Sequence, residues 1–234
     1  MSEIYLFRHG QGGATPEAYD QLSALGHQQS RRLGEWLHAH RIPFVASASG
    51  SIRRQRETLD GIAAIYAERD SALPAREVLP ALDEYRFAEL VRAFAAIEPG
   101  HPELALLASR PEDKRQWIGL LRTTLAAWIE GRLDAHVAEA YRAFRDRAHA
   151  AAARLEALAE QGPVLAVSSG GVMSVIVQRV LGLPDLSVID LNLSLKNTGL
   201  IHLRRSSRHG WKLESLNSLP HLAAAADREL ISLV

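Results

Sequence analysis

Three short stretches carry residue types able to handle a phosphoryl group. In IYLFRHG, residues 4–10, four apolar residues run into Arg8, His9 and Gly10. In SIRRQRET, residues 51–58, Arg53, Arg54 and Arg56 follow a glycine turn. In VSSGG, residues 167–171, Ser168, Ser169, Gly170 and Gly171 end an apolar run. Arginine grips an oxyanion through a planar fork of N–H donors. A glycine-bounded helix start adds unbonded N–H groups and positive potential. An imidazole beside such cations is disfavoured in its charged form, so it stays neutral and nucleophilic near pH 7. Pressed against a phosphoryl group, it can form a phosphohistidine. Arg8 would then hold the anion that His9 attacks.

These stretches need a scaffold that brings their ends together. Residues 3–7 read as a strand. A helix fits about 23–41, with Leu33, Trp36 and Leu37 at helical spacing and a serine near its start as cap. Residues 44–49 read as a second strand and 50–68 as a helix with Leu59, Ile62 and Ile65 on one side. From about 87 to 132 the text is mostly helical, broken at EPGHPE and SRPED. A long helix is expected over about 136–161, with Tyr141, Phe144, Ala148, Leu155 and Leu158 inward. PVLAVSSGGVMSVIVQRVLGL reads as strand, glycine turn and helix, and LKNTGLIHLRR and WKLESLN as closing strands. Strand and helix alternate at both ends around a helical insertion. That order predicts an α/β fold, a three-layer α/β/α sandwich with a mainly parallel central sheet, as one domain over residues 1–234. In such sheets sites form at the carboxyl ends of strands, where all three stretches fall.

Composition narrows the alternatives. The 27 basic and 27 acidic side chains cancel, so nothing global favours nucleic acid or an anionic membrane, and neither is expected as a partner. Cysteine is absent, which removes disulfides, thiolate metal sites and a cysteine nucleophile. The apolar run at residues 4–7 is too short for a secretory segment, and a cytoplasmic location is expected. His38 and His40 stand two residues apart and point away from each other on a helix, so no metal site is assigned to them. A serine hydrolase using Ser169 would need a Gly-x-Ser-x-Gly turn that the chain lacks.

LFRHG, followed in order by LSALGHQQ, SGSIRRQRETL, LDEY and VSSGG, resembles the histidine phosphatase superfamily in its phosphoglycerate mutase-like branch. The resemblance covers most of the chain and is weakest between about 88 and 135. It implies that His9 is the nucleophile and Arg8 the first phosphate-binding arginine. Arg54, four residues before Thr58, matches the second arginine, leaving Arg56 exposed. Glu84 in the LDE triplet matches the proton donor to the leaving group, with Asp83 as the substitute. Gly10 and Gln11 continue the phosphate loop, and Ser169 and Gly170 close it. No cofactor and no metal are implied. The partner is a small-molecule phosphate ester, and a homodimer is left open. The insertion at about 85–135, with Arg86, Arg92, Arg110, Lys114, Arg115 and Arg122, would roof the site and select the leaving group.

One position departs from the pattern. The superfamily usually carries a second histidine in a Ser-His-Gly-Gly turn, where this chain has Ser169. A hydroxyl donates a hydrogen bond but brings no charge. Losing one preorganised donor of this kind costs about 3–4 kcal/mol of barrier, so turnover is expected to be low. His27, His101 and His221 are the candidates to supply a ring from elsewhere in the fold. The expected activity is metal-independent phosphomonoester hydrolysis through a phosphohistidine. Mutase-type phosphoryl transfer and a catalytically weak phospholigand-binding module are the alternatives.

Overall fold

The structure is a computed structural model and describes residues 2–13, 15, 18–109 and 114–233. Alternation along two central strands sets its architecture. In β1 (Glu3–Arg8) and β4 (Val164–Ser168), Ile4, Leu6, Val164 and Ala166 point to one face of the sheet. Phe7, Leu165 and Val167 point to the other. A strand buried on both faces needs helices on both sides. On one side, α1 (Ala24–Ala39) and α2 (Arg53–Ala67) supply Leu33, Leu37, Leu59 and Ile62. On the other, α3 (Phe87–Ile97), α4 (Pro102–Ser109), α5 (Lys114–Ile129), α6 (Tyr141–Leu158) and α7 (Gly170–Leu181) gather around Phe94, Trp128, Phe144 and Met173. The result is the three-layer arrangement expected from the sequence.

The remaining strands are β2 (Ala46–Ser49), β3 (Arg76–Val78), β5 (Leu200–Ser206) and β6 (Gly210–Ser218), in the order β3-β2-β4-β1-β5-β6. The first four strands of that order run parallel, and β5 and β6 add an antiparallel edge. Register matters for function. Arg8 pairs with Ser168, so His9 and Ser169 leave adjacent strands side by side. The His9 N–H donates to Ser168 O at 2.9 Å, which fixes that exit. Among the described residues no helix is long and apolar enough to cross a membrane.

Two elements differ from the sequence reading. The long helix begins at Tyr141, because the chain leaves helical geometry over residues 137–140, extended at Val137 and Ala140 and bent between them, and is pinned there. Trp128 Nε1 donates to Glu139 O at 2.9 Å, and Ala138 N–H donates to Glu89. An additional short helix, α8 (Ser187–Ser194), follows α7. Its eight residues include β-branched Val188 and Ile189, and its two serines and Asn192 favour caps and turns, so helical periodicity is weak. Of the expected SRPED break, residues 110–113 lie outside the described residues.

Behind β1 the chain is braced by a buried histidine. Thr198, with φ at 55°, donates its N–H to Arg8 O (3.1 Å) and His9 O (3.3 Å). Its hydroxyl donates to Asn197 O and so accepts from His221 Nε2 at 2.8 Å. Nδ1 of His221 has no partner, and burial lowers its pKa to about 4. The fold therefore holds this ring neutral. Above pH 6.5 its contribution is complete. As pH falls from 6.5 towards 4 the unfolded chain takes up a proton that the folded one refuses, and stability drops by up to about 3 kcal/mol. Denaturant unfolding at pH 7 and pH 4.5 checks this: His221→Gln should lose clearly less stability on acidification than the wild type.

Candidate active site

The protonation of His9 follows from its two partners. Nδ1 lies 2.7 Å from Gly10 O, and a carbonyl only accepts, so Nδ1 carries the proton. Nε2 lies 3.0 Å from Arg54 Nε, which only donates, so Nε2 is a bare lone pair. The ring is 4% exposed. Burial, then Arg54, then Arg8 hold it well below the ordinary histidine pKa. The sequence reading attributed that neutrality to the arginines; burial is the larger cause.

Arg54 reaches His9 because of a one-turn spacing on α2. The Thr58 hydroxyl donates to Arg54 O at 2.7 Å and accepts Gly10 N–H at 3.0 Å. The Arg-x-x-x-Thr pattern thus ties the start of α2 to the loop after β1. Arg54 is buried, with Nη1 at 3.2 Å from Asp20 and its guanidinium 4.8 Å from the Tyr19 ring centroid. Arg53 and Arg56 are exposed, and Arg53 pairs with Glu57.

Arg8 donates through Nη1 to Leu195 O and to Leu233 O (the latter at 2.7 Å), and its Nε is buried without a partner. That Nε faces the start of α7: a Cβ added at Gly170 would lie 3.8 Å from it. Glu84 meets the same helix end. Its Oε2 accepts Gly171 N–H at 3.0 Å and its Oε1 accepts Tyr85 N–H at 3.1 Å. Burial raises the Glu84 pKa against the pull of Gly171 N–H, Arg54 and Arg8. Asp83 instead caps α2, accepting Ser51 N–H and Ile52 N–H. Of the two carboxyls, only Glu84 faces the histidine and arginines.

Gly10 and Gln11 sit beside the site with their amides engaged, Gly10 on Thr58 and Gln11 on Gln29 Oε1 at 2.8 Å. Ser169 is fully buried at the end of β4, and its Oγ accepts from Gln55 Nε2 at 2.7 Å. The three other histidines are occupied elsewhere: His27 is exposed on α1, His101 packs edge-on against Phe94, and His221 lies beneath Thr198. Next to Glu84 a cavity of about 380 Å³ opens under the helical insertion, lined by Asp83, Glu84, Tyr85, Glu89, Trp128 and Arg147. Among the described residues no three His, Asp or Glu side chains gather in a way that could hold a metal ion.

Several neighbours were not singled out from the sequence. Gln29 lies within LGHQQ, but nothing local says that it receives the Gln11 amide. Asn197 donates to His9 O at 3.2 Å, and Asn192 donates to the Tyr85 hydroxyl at 2.8 Å. Gln55 was hidden among the arginines of α2.

The site is thus a neutral histidine flanked by the buried Arg54 and the half-buried Arg8 at the carboxyl edge of an open, mainly parallel α/β sheet. Solved structures share the fold across nearly the whole chain. A phosphoglycerate mutase from Bacillus anthracis is 18% identical with a TM-score of 0.64, covering 94% of each chain. A phosphoserine phosphatase from Entamoeba histolytica, in complex with phosphoserine, is 15% identical with a TM-score of 0.62, covering 95% of this chain and 100% of that one. A mycobacterial glucosyl-3-phosphoglycerate phosphatase, in complex with VO3, is 20% identical with a TM-score of 0.59, covering 94% and 100%. No curated protein sequence matches. The model of the histidine phosphatase superfamily (branch 1) matches residues 4–219, and the chain belongs to that superfamily.

The Thr58 bridge gives a direct test. Thr58→Val leaves the buried Gly10 N–H without an acceptor and should cost about 1–3 kcal/mol, whereas Thr58→Ser keeps the hydroxyl and should cost clearly less. Denaturant unfolding of the two variants measures the difference.

Proposed function

We propose that the protein is a metal-independent phosphomonoester hydrolase that acts on a small phosphorylated substrate through a phosphohistidine. The observation that carries this reading is the bare Nε2 of His9, held 3.0 Å from Arg54 Nε beside the unpartnered Nε of Arg8. A phosphoryl oxygen arriving there would accept from Arg8 and from Arg54, whose Nε–H turns from His9 Nε2 to the oxygen and frees the lone pair for attack on phosphorus. The Nε2–P bond forms as the ester P–O bond breaks. Glu84, whose burial raises its pKa and so favours the protonated form, gives its proton to the leaving oxygen, and the alcohol departs. The positive charge that develops on the imidazole rests on the Nδ1–H bond to Gly10 O. Water then gives a proton to the Glu84 carboxylate and its oxygen attacks phosphorus. The P–N bond breaks, releasing inorganic phosphate and neutral His9. The names of the structural relatives, two phosphatases and a mutase, suit a phosphoryl group passed to and from histidine. The cavity beside Glu84, lined in part by Glu89 and Leu90 of α3 and Trp128 of α5, is where the leaving group would sit.

Two measurements test this. His9→Ala should abolish hydrolysis of 4-nitrophenyl phosphate while chelator leaves the wild-type rate unchanged; activity that survives His9→Ala and dies with chelator would sink the mechanism. The first step needs His9 neutral and Glu84 protonated. Because the His9 pKa lies well below 6.5, that group does not slow the step at pH 6.5. Because the Glu84 pKa is raised above 4.5, the step stays active above that pH and slows as pH rises through the shifted value. Glu84→Gln should remove this alkaline limb and cost about a hundredfold or more on alkyl phosphates. The cost should be smaller on 4-nitrophenyl phosphate, whose leaving group needs no proton. Single-turnover rates against pH provide the readout.

A further inference from the structure

We propose that Gln55 is a positioning residue for Ser169: resting on the phosphoryl-transfer reading above, the pair presents one hydroxyl proton to the phosphoryl group. Both side chains are fully buried. Gln55 follows Arg54 on α2, and Ser169 follows the end of β4, whose last residue is paired in register with Arg8. Gln55 and Ser169 are thus each one residue from a group of the site.

The direction of the hydrogen bond is settled by a third atom. Gln55 Nε2 lies 2.9 Å from Leu82 O and 2.7 Å from Ser169 Oγ. Leu82 O can only accept, so the amide end facing it is the NH2 group. Its two protons go to Leu82 O and to Ser169 Oγ. Ser169 Oγ is therefore an acceptor in this contact, and its own proton remains for another acceptor. The preceding residue shows the contrast: the Ser168 hydroxyl gives its proton to Leu82 O at 2.8 Å, a purely internal bond. Ser169 occupies the N-cap of α7 yet makes no side-chain cap bond, although serine is favoured there for that bond. Its hydroxyl is thus held by Gln55 rather than by the helix that it starts.

The seat of the Gln55 amide is an unfavourable one to build. Its Oε1 is buried without a partner. A Cβ at Gly50 would overlap that oxygen, so the turn before α2 must be glycine for the amide to sit there. A leucine of similar size would avoid the orphaned carbonyl, so the position calls for the donor rather than for volume alone. The same geometry blocks a larger group at position 169 along the direction of Oγ. An imidazole extends beyond the Oγ position, and Gln55 Nε2 already stands 2.7 Å from it. A histidine at 169 extending along Oγ would meet the Gln55 amide, and shortening residue 55 would relieve that contact.

The experiment is a double-mutant cycle on 4-nitrophenyl phosphate, with thermal unfolding to verify folding and calorimetry of inorganic phosphate binding. Ser169→Ala and Gln55→Met should each lower kcat about tenfold or more with KM changed less than about threefold. The double variant should be no slower than the worse single one. Ser169→His alone should be slower than wild type, and Gln55→Ala with Ser169→His should recover activity above it. Losses that multiply in the double variant, or a Gln55→Met protein with wild-type kcat, overturn the proposal. If Gln55→Met does not fold, Gln55→Glu replaces it. An ionised carboxylate there would take the Ser169 proton and a neutral one would not, so the variant-to-wild-type ratio of kcat should rise as pH falls. A ratio independent of pH overturns the pairing. If wild type and His9→Ala hydrolyse equally slowly, the phosphoryl-transfer reading fails by itself. The cycle is then read in the affinity for inorganic phosphate, where independent losses would still refute the coupling.

Discussion

A guanidinium nitrogen can only donate, and that one-sidedness governs the site. With Arg54 Nε against its Nε2, the His9 ring must keep a lone pair on that atom and its proton on the other. Two guanidiniums and an imidazole enclosed together would repel one another if the ring were charged, so burial and charge push His9 the same way. Most of the surrounding structure keeps this contact in place. Thr58 ties α2 to the loop after β1, Asp83 caps the start of α2, and Thr198 and Asn197 hold the backbone of Arg8 and His9 from behind. The enclosed positive charge is partly answered by the exposed Asp20 beside Arg54.

The sheet adds a second level of control. Parallel pairing places Arg8 against Ser168, so two strand ends deliver His9 and Ser169 to the same edge without any loop having to search for the geometry. The start of α7 then brings Gly170 and Gly171 close enough for Arg8 and Glu84 to meet it. A side chain at Gly171 would collide with Glu84 and with the Tyr85 ring.

What could be read from the sequence was what local pattern encodes. Strands β1 and β4 announced themselves by short apolar runs, and Arg8, His9 and Gly10 by adjacency. The choice of Arg54 among the three arginines came from the resemblance, which places an arginine four residues before Thr58, and the structure buries Arg54 with Thr58 bonded to its carbonyl. Residues whose part depends on distant contacts were not legible. Gln55 meets Ser169 across more than a hundred residues, and Asn197 meets His9 across a still longer span. No periodicity marks such pairs. The start of α6 was misplaced because the apolar spacing continues upstream, while the backbone of residues 137–140 is held out of helical geometry by bonds to Trp128 and Glu89. The membership in the superfamily was visible in five short motifs; the neutral state of His9 was expected for its cations and owes more to burial.

The central position of β1 has a consequence for how the chain acquires its shape. Its two neighbours, β4 and β5, both come from the last third of the sequence. During synthesis, Leu6 and Phe7 therefore emerge early in a segment with both edges open, while the partners that cover them are still unmade. Non-local pairing of this kind is slow, and an unpaired apolar strand is prone to intermolecular association until it closes. Helices α1 and α2 can pack on each other in the meantime and shield part of that surface. The surroundings of His9 are assembled only when β4 and β5 zip onto β1, so the site and the sheet form in the same event.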